Sequence, residues 1–307
     1  MADLSGILPV LPTPFAADGA IDVEAIRRVT AFALSAGVNG VVFPGFASEV
    51  SELTAEERSQ LLTSVVEEVV GTVPVIAGGS AKDAGAVIAH GQAALALGVG
   101  FLMIQPPLHL GSEAEPVAAF LGEIAAALPD MRIILQNAPA PRGSDLSPDT
   151  ILEIARRSPQ IAYVKEETLP AGPAITRIMA DRPPSLQGVI GGGGARYILD
   201  EYERGASAAM PAVEIADLHV ALDTAWREGR RDKARDLYVR TLPLLTLQTV
   251  YRMRLTKHVL VRRGIFENAE VRAPTPILDE LAIADIDKNL VELGLIDDAG
   301  LSAALAT

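Results

Sequence analysis

Eight short apolar runs alternate with helical patterns along most of the chain, and this alternation constrains the fold more than any other feature. The runs are Ile7 to Leu11, Gly40 to Pro44, Val73 to Ala77, Phe101 to Gln105, Arg132 to Gln136, Ile161 to Lys165, Gly188 to Gly191 and Ser207 to Met210. Each is continuous rather than alternating, the pattern of strands buried on both faces of a parallel sheet. The segments between them carry helix start signals. Thr54 with Glu57 three residues on forms a capping box, and Ser147 precedes Pro148 at a first helical position. Strand–helix alternation requires right-handed crossovers and a parallel sheet. Eight such units that close on themselves form a (β/α)8 TIM barrel, a fold of typically ~250 residues. An open doubly wound sheet is the competing architecture. Residues 1–228 are thus expected to form the barrel. Residues 229–307, helical in pattern throughout, are expected to form a C-terminal helical extension packed on it.

Bulk properties narrow the function. The chain has 307 residues, a formal charge of −13, 4% aromatics and no cysteine. Binding to nucleic acid needs clustered Lys and Arg, and no basic run appears, so a nucleic-acid partner is not expected. Thiolate metal sites and disulfides are excluded. The four histidines (His90, His109, His219 and His258) lack ligand spacing, so no metal site is expected. No apolar run is long enough to span a membrane, and the N-terminus lacks the positive region of a signal peptide. The expected location is cytoplasmic.

In a barrel, chemistry gathers at the carboxyl ends of the strands. The sixth run, "IAYVKEE", drives straight into Lys165, one of only five lysines among 26 basic residues. Burial disfavours an ammonium, and a neutral amine can attack a ketone to give an imine that acts as an electron sink. The structural alternative is a strand-end lysine paired with Glu166 or Glu167. The run "GGGG" at 191–194 lacks the Lys-Ser/Thr of a P-loop and is read as allowing close approach of a substrate to the backbone.

Taken at these strand ends and in this order, "PTPF", "GFASE", "NAPAPRGSDLSPDTI" and "VKEE" resemble the dihydrodipicolinate synthase and N-acetylneuraminate lyase family. The resemblance runs from "GILPVLPTPF" to about Trp226, with a looser match around "RLTKHVLVRRG". It implies a homotetramer, a dimer of dimers, that acts on pyruvate and other 2-keto acids through a covalent imine at Lys165, with no other cofactor. It also implies that Ala47 and Ser48 hold the keto acid's carboxylate and that Gly192 and Ala209 line the pocket. The chain departs from the family pattern at several places. Gln136 stands where the family has its proton-shuttling tyrosine, Leu108 where the synthases have a cross-subunit tyrosine, and Phe46 and Ala47 replace two threonines. The synthases' carboxylate-gripping arginine aligns with Pro141, and Arg142 lies one place on.

Glutamine cannot act as acid or base; it orients a water or a hydroxyl. The synthase activity of lysine biosynthesis is therefore set aside. "QNAP" looks closer to family members that dehydrate 2-keto-3-deoxy sugar acids, and dehydration is the first reading. Retro-aldol cleavage of a pyruvate adduct and a non-catalytic keto-acid-binding barrel are the alternatives. His109 and Glu49 are the candidates for proton transfer, with Ser48 a further one; Glu49 also has a structural reading as a brace of its turn.

Overall fold

Strand formation follows the apolar runs closely. In the computed structural model, which describes residues 3–297, the strands are β1 (Gly6–Ile7), β2 (Val41–Phe43), β3 (Val75–Gly78), β4 (Phe101–Ile104), β5 (Arg132–Asn137), β6 (Ile161–Glu166), β7 (Gly188–Gly191) and β8 (Ala208–Ala209). All pair in parallel, in the order β1-β8-β7-β6-β5-β4-β3-β2. The two ends of that order meet: the Asn39 N–H donates to the Ile7 carbonyl at 2.9 Å, and the Ile7 N–H to Asn39 Oδ1 at 3.0 Å. The eight strands thus curl into a barrel, and the chain has the (β/α)8 TIM-barrel fold with additional C-terminal helices. The outermost runs are trimmed: the sheet takes only Ile7 of the first, with Gly6 before it, and Ala208–Ala209 of the eighth.

The described residues cluster into two compact units. The first holds residues 3–8, 39–43 and 71–211, which include all eight strands and the helices Ala84–Ala96, Ala114–Ala127, Pro148–Arg157, Ala171–Asp181 and Ile198–Glu203. The helix Pro148–Arg157 starts as its sequence requires, with the Ser147 hydroxyl accepting from the Thr150 N–H and Pro148 in the first turn.

The second unit holds residues 9–38, 44–70 and 212–297. Its helices are Val23–Ser35, Ala55–Val69, Ala216–Arg227, Arg231–Arg262 and Glu280–Glu292. Thr54 and Glu57 form the reciprocal capping box at the start of Ala55–Val69. Ile215, Leu244, Leu245, Leu255, Val259, Ile286 and Leu290, all buried, form a core that ties the last three helices together. Full burial of each such side chain is worth about 1.5–3 kcal/mol. The helical pattern after residue 229 is realised as Arg231–Arg262, interrupted where Arg252 takes φ 49°, and Glu280–Glu292.

Candidate active site at the end of β6

The run Ile161–Val164 fixes where Lys165 points. Side chains alternate along a strand, so Tyr163, Lys165 and Glu167 share one face while Val164 and Glu166 take the other. A slip of one residue would reverse both sets and bury charge where the apolar side chains now sit, so the hydrophobic pattern specifies the register. Lys165 pairs with Gln136 on β5 and Ile190 on β7, and Glu166 pairs with Asn137 and Gly191. An ideal Cβ at Gly191 would meet the Glu201 side chain of helix Ile198–Glu203, so the Glu166 face is the one covered by helices. Lys165, Gln136 and Glu167 therefore face the barrel interior.

These three side chains form a connected group. Lys165, 4% exposed, has its Nζ 3.2 Å from Glu167 Oε1. Gln136 Nε2 donates to Glu167 Oε2 at 2.9 Å, and the Arg142 guanidinium lies 3.5 Å from the same oxygen. Burial opposes ionisation of Glu167, yet the charges of Lys165 and Arg142 and the hydrogen bonds from Gln136 and Lys165 hold its carboxyl below the usual range. Glu167 is a carboxylate touching the candidate nucleophile. Of the two glutamates following Lys165, it is Glu167 that makes the ion pair.

Glu166 has a separate task on the opposite face. It accepts from Asn137 Nδ2 at 3.0 Å, the Thr168 N–H at 2.8 Å and the Thr168 hydroxyl at 2.5 Å. Burial still raises its pKa. Asn137 in turn exchanges two hydrogen bonds with the Leu146 backbone, 2.9 and 2.8 Å, pinning the far end of the loop that carries Arg142. Gln105 Nε2 holds the near side by donating to the Arg142 carbonyl at 2.6 Å. Arg142 thus sits beside Glu167 because three strand ends anchor its loop.

The small residues expected along the pocket resolve differently. An ideal Cβ on Gly192 would lie 2.3 Å from Glu167 Cγ and 2.8 Å from its Oε1. The glycine is needed because Glu167 lies across it. Ala209, expected to line the pocket, pairs with Gly191 and so projects its side chain to the face opposite Lys165; Ala208, paired with Ile190, takes the Lys165 face. The period of two decides this, and the Ala209 carbonyl is occupied by the Leu8 N–H at 2.9 Å. His109 lies exposed on the 3-10 turn Leu108–Leu110 after β4.

In the second unit, the turn Phe46–Ser48 is self-braced. The Ser48 hydroxyl accepts from the Gly45 N–H at 2.9 Å and donates to the Leu11 carbonyl at 2.5 Å, while Thr13 donates to the Ser48 carbonyl at 2.6 Å. The Ser48 N–H reaches the Gly45 carbonyl, which leaves the Ala47 N–H as the group in this turn with no acceptor among the described residues. Such an N–H suits an anion. The Ser48 hydroxyl is engaged in the brace.

Glu49, a candidate for proton transfer, has both carboxyl oxygens engaged in bracing contacts. Its Oε1 lies 2.5 Å from Lys257 Nζ with both side chains fully buried, and its Oε2 accepts the Arg272 and Ala273 N–H groups at 2.7 Å each. Burial lowers the Lys257 pKa to about 8 against the pull of Glu49. This second buried lysine also donates to the Glu270 carbonyl and lies 4.2 Å over the Phe15 ring, so it serves as a tie between separated segments.

A buried lysine on a carboxylate at the sixth strand end of an eight-stranded barrel agrees with what the whole chain matches. Residues 3–291 fit the model of the dihydrodipicolinate synthetase family. The chain belongs to that family. An L-2-keto-3-deoxyarabonate dehydratase of Azospirillum brasilense is 32% identical over 277 residues, 89% of each chain. A 4-hydroxy-tetrahydrodipicolinate synthase of Stenotrophomonas maltophilia is 36% identical over 164 residues, 53% of this chain and 54% of the relative. Among solved structures, a dihydrodipicolinate synthase from Rhodopseudomonas palustris superposes with a TM-score of 0.87 at 28% identity, covering 94% of this chain and 97% of that one. The family is one of lyases, and this member carries Gln136 and Glu167 around its strand-end lysine. From sequence Glu167 is a possible salt-bridge partner alongside Glu166; the signal that singles it out is its i, i+2 spacing from Lys165, which puts both on one face.

Proposed function

We propose that this protein is a Schiff-base-forming lyase that dehydrates a 2-keto-3-deoxy sugar acid, with Lys165 as nucleophile and Glu167 as its acid–base partner. The observation that carries the reading is the Glu167 carboxylate 3.2 Å from Lys165 Nζ, itself fixed by Gln136. Similarity to a dehydratase over nearly the full chain supports the choice of substrate class.

The steps follow from this geometry. Glu167 takes a proton from the Lys165 ammonium, and the free amine adds to the C2 ketone. The resulting carbinolamine expels its hydroxyl as water on taking that proton back from Glu167, leaving a protonated imine and Glu167 again a carboxylate. Loss of a C3 proton then gives an enamine, with the iminium nitrogen taking up the electron pair. Glu167 is the base within reach of that region. The enamine pushes out the C4 hydroxyl, which leaves as water on receiving the proton that Glu167 holds. Hydrolysis of the unsaturated iminium returns Lys165. Gln136, anchored on Glu167, orients the departing hydroxyl or the water without transferring a proton.

The same carboxylate favours one second reading. Retro-aldol cleavage needs a base for the C4 hydroxyl, and Glu167 supplies one where the family's tyrosine is missing. Borohydride reduction in the presence of pyruvate or a 2-keto-3-deoxy acid is expected to label Lys165, located by peptide mass. The Lys165→Ala variant should take no label, and Lys257 should stay unlabelled in both. No labelling of Lys165 by any of these acids would refute both lyase readings. With labelling established, formation of an unsaturated or rearranged keto acid marks dehydration, whereas release of free pyruvate marks aldol cleavage.

A further inference from the structure

Behind the β6 end lies a carboxyl group that the reaction does not use. Glu201, on the helix Ile198–Glu203, is 1% exposed, and its Oε2 has no hydrogen-bond partner among the described residues. It presses against the strand: an ideal Cβ on Gly191 would lie 2.0 Å from that oxygen. Gly191 is the register partner of Glu166. The Glu201 carboxyl therefore sits in the same layer as Glu166, on the face opposite Lys165 and Glu167.

A buried carboxylate with an unpartnered oxygen is costly, whereas a neutral acid in the same place is far less so. Glu166 cannot compensate, because its own oxygens are taken by Asn137 and Thr168. We propose that Glu201 is a positioning residue that packs as a neutral carboxylic acid against Gly191 and holds the Glu166–Glu167 strand end so that Glu167 stays on Lys165. The role rests on the Lys165–Glu167 reading above; the neutral state of Glu201 does not.

The charged groups around it point the same way. Burial, then the charges of Asp200, Glu167 and Glu166, raise the Glu201 pKa to about 8, with Arg196 acting in the opposite sense. Asp200 is itself paired with Arg204 at 2.9 Å and Glu167 with Lys165 at 3.2 Å, while Glu166 faces Glu201 from the same layer of the strand with no cation on its carboxylate among the described residues. Once ionised, Glu201 would repel Glu166 and Glu167 and draw water into the layer behind them. Protonation is favoured by the fold, so its contribution to stability is complete below the unfolded carboxyl range and is lost as pH rises through about 8.

Glu201→Gln keeps shape and neutrality and removes the titration. The unfolding midpoint of the wild type is expected to fall between pH 6 and about 9 more steeply than that of the variant, without any substrate. Borohydride labelling of Lys165 by pyruvate should proceed in the variant within about threefold of wild type at pH 7. The wild-type-to-variant rate ratio should drop at least about fivefold by pH 9. Parallel stability curves would overturn the neutral-acid assignment. A pH-independent rate ratio alongside divergent stability curves would overturn the positioning role alone. Wild type that takes no label at Lys165 sinks the lyase reading, and the positioning role with it, while the stability comparison still decides the state of Glu201. Should the Gln variant not fold, Glu201→Leu, equally unable to ionise, takes its place with the same outcomes.

Discussion

Replacing Glu167 with glutamine separates two roles that a single carboxylate combines. Glu167 Oε1 lies 3.2 Å from Lys165 Nζ. At an effective dielectric constant of ~20, the charge–charge attraction across that contact is on the order of 5 kcal/mol. In Glu167→Gln the attraction disappears, and solvent takes the ammonium proton in place of the lost base at the first step. Imine formation should therefore suffer little, within about tenfold. The C3 proton has no such substitute, because Gln136 cannot exchange protons and His109 is exposed on another turn. Loss of a positioned acid–base group costs about 10²–10⁴-fold. Borohydride labelling measures the imine, and exchange of pyruvate methyl protons into deuterated water, followed by NMR, measures C3 proton transfer. The variant should label nearly normally while exchange and dehydration collapse. Exchange within about fivefold of wild type would refute Glu167 as the base, and labelling that falls in step with exchange would show that the carboxylate acts only by placing Lys165.

Two further changes probe the surroundings. Gly192→Ala puts a methyl group 2.3 Å from Glu167 Cγ, so the carboxylate must swing off Lys165; a loss of dehydration of at least about tenfold in steady-state assays is expected, with about 1–3 kcal/mol of stability lost in urea titrations. Lys257→Met leaves Glu49 buried with only two backbone donors, and breaking a fully buried ion pair of this kind should cost about 3–5 kcal/mol in equilibrium unfolding.

The chain's own order of residues determined the barrel and its lysine. Parallel strands buried on both faces need continuous apolar runs, and a run such as Ile161–Val164 leaves no freedom in which way the next side chain points. Lys165, its strand, the caps at Thr54 and Ser147 and the glutamine at 136 are all local facts, legible because period and capping act over a few residues. The spacing of Lys165 and Glu167 is equally local, but the sequence leaves the partner open between Glu166 and Glu167, and the folded structure pairs the lysine with Glu167. Tertiary structure alone decided which distant groups complete each cluster. Gln136 reaches Glu167 across 31 residues because β5 and β6 are adjacent in register, and the same register turns Ala209 away from Lys165 and Ala208 toward it. Glu49 meets Lys257 only after the chain has folded back over two hundred positions, and Glu201 finds Gly191 through helix-on-strand packing. Side-chain period is written in the sequence; which strand lies beside which, and what covers their outer face, is fixed only when the sheet closes.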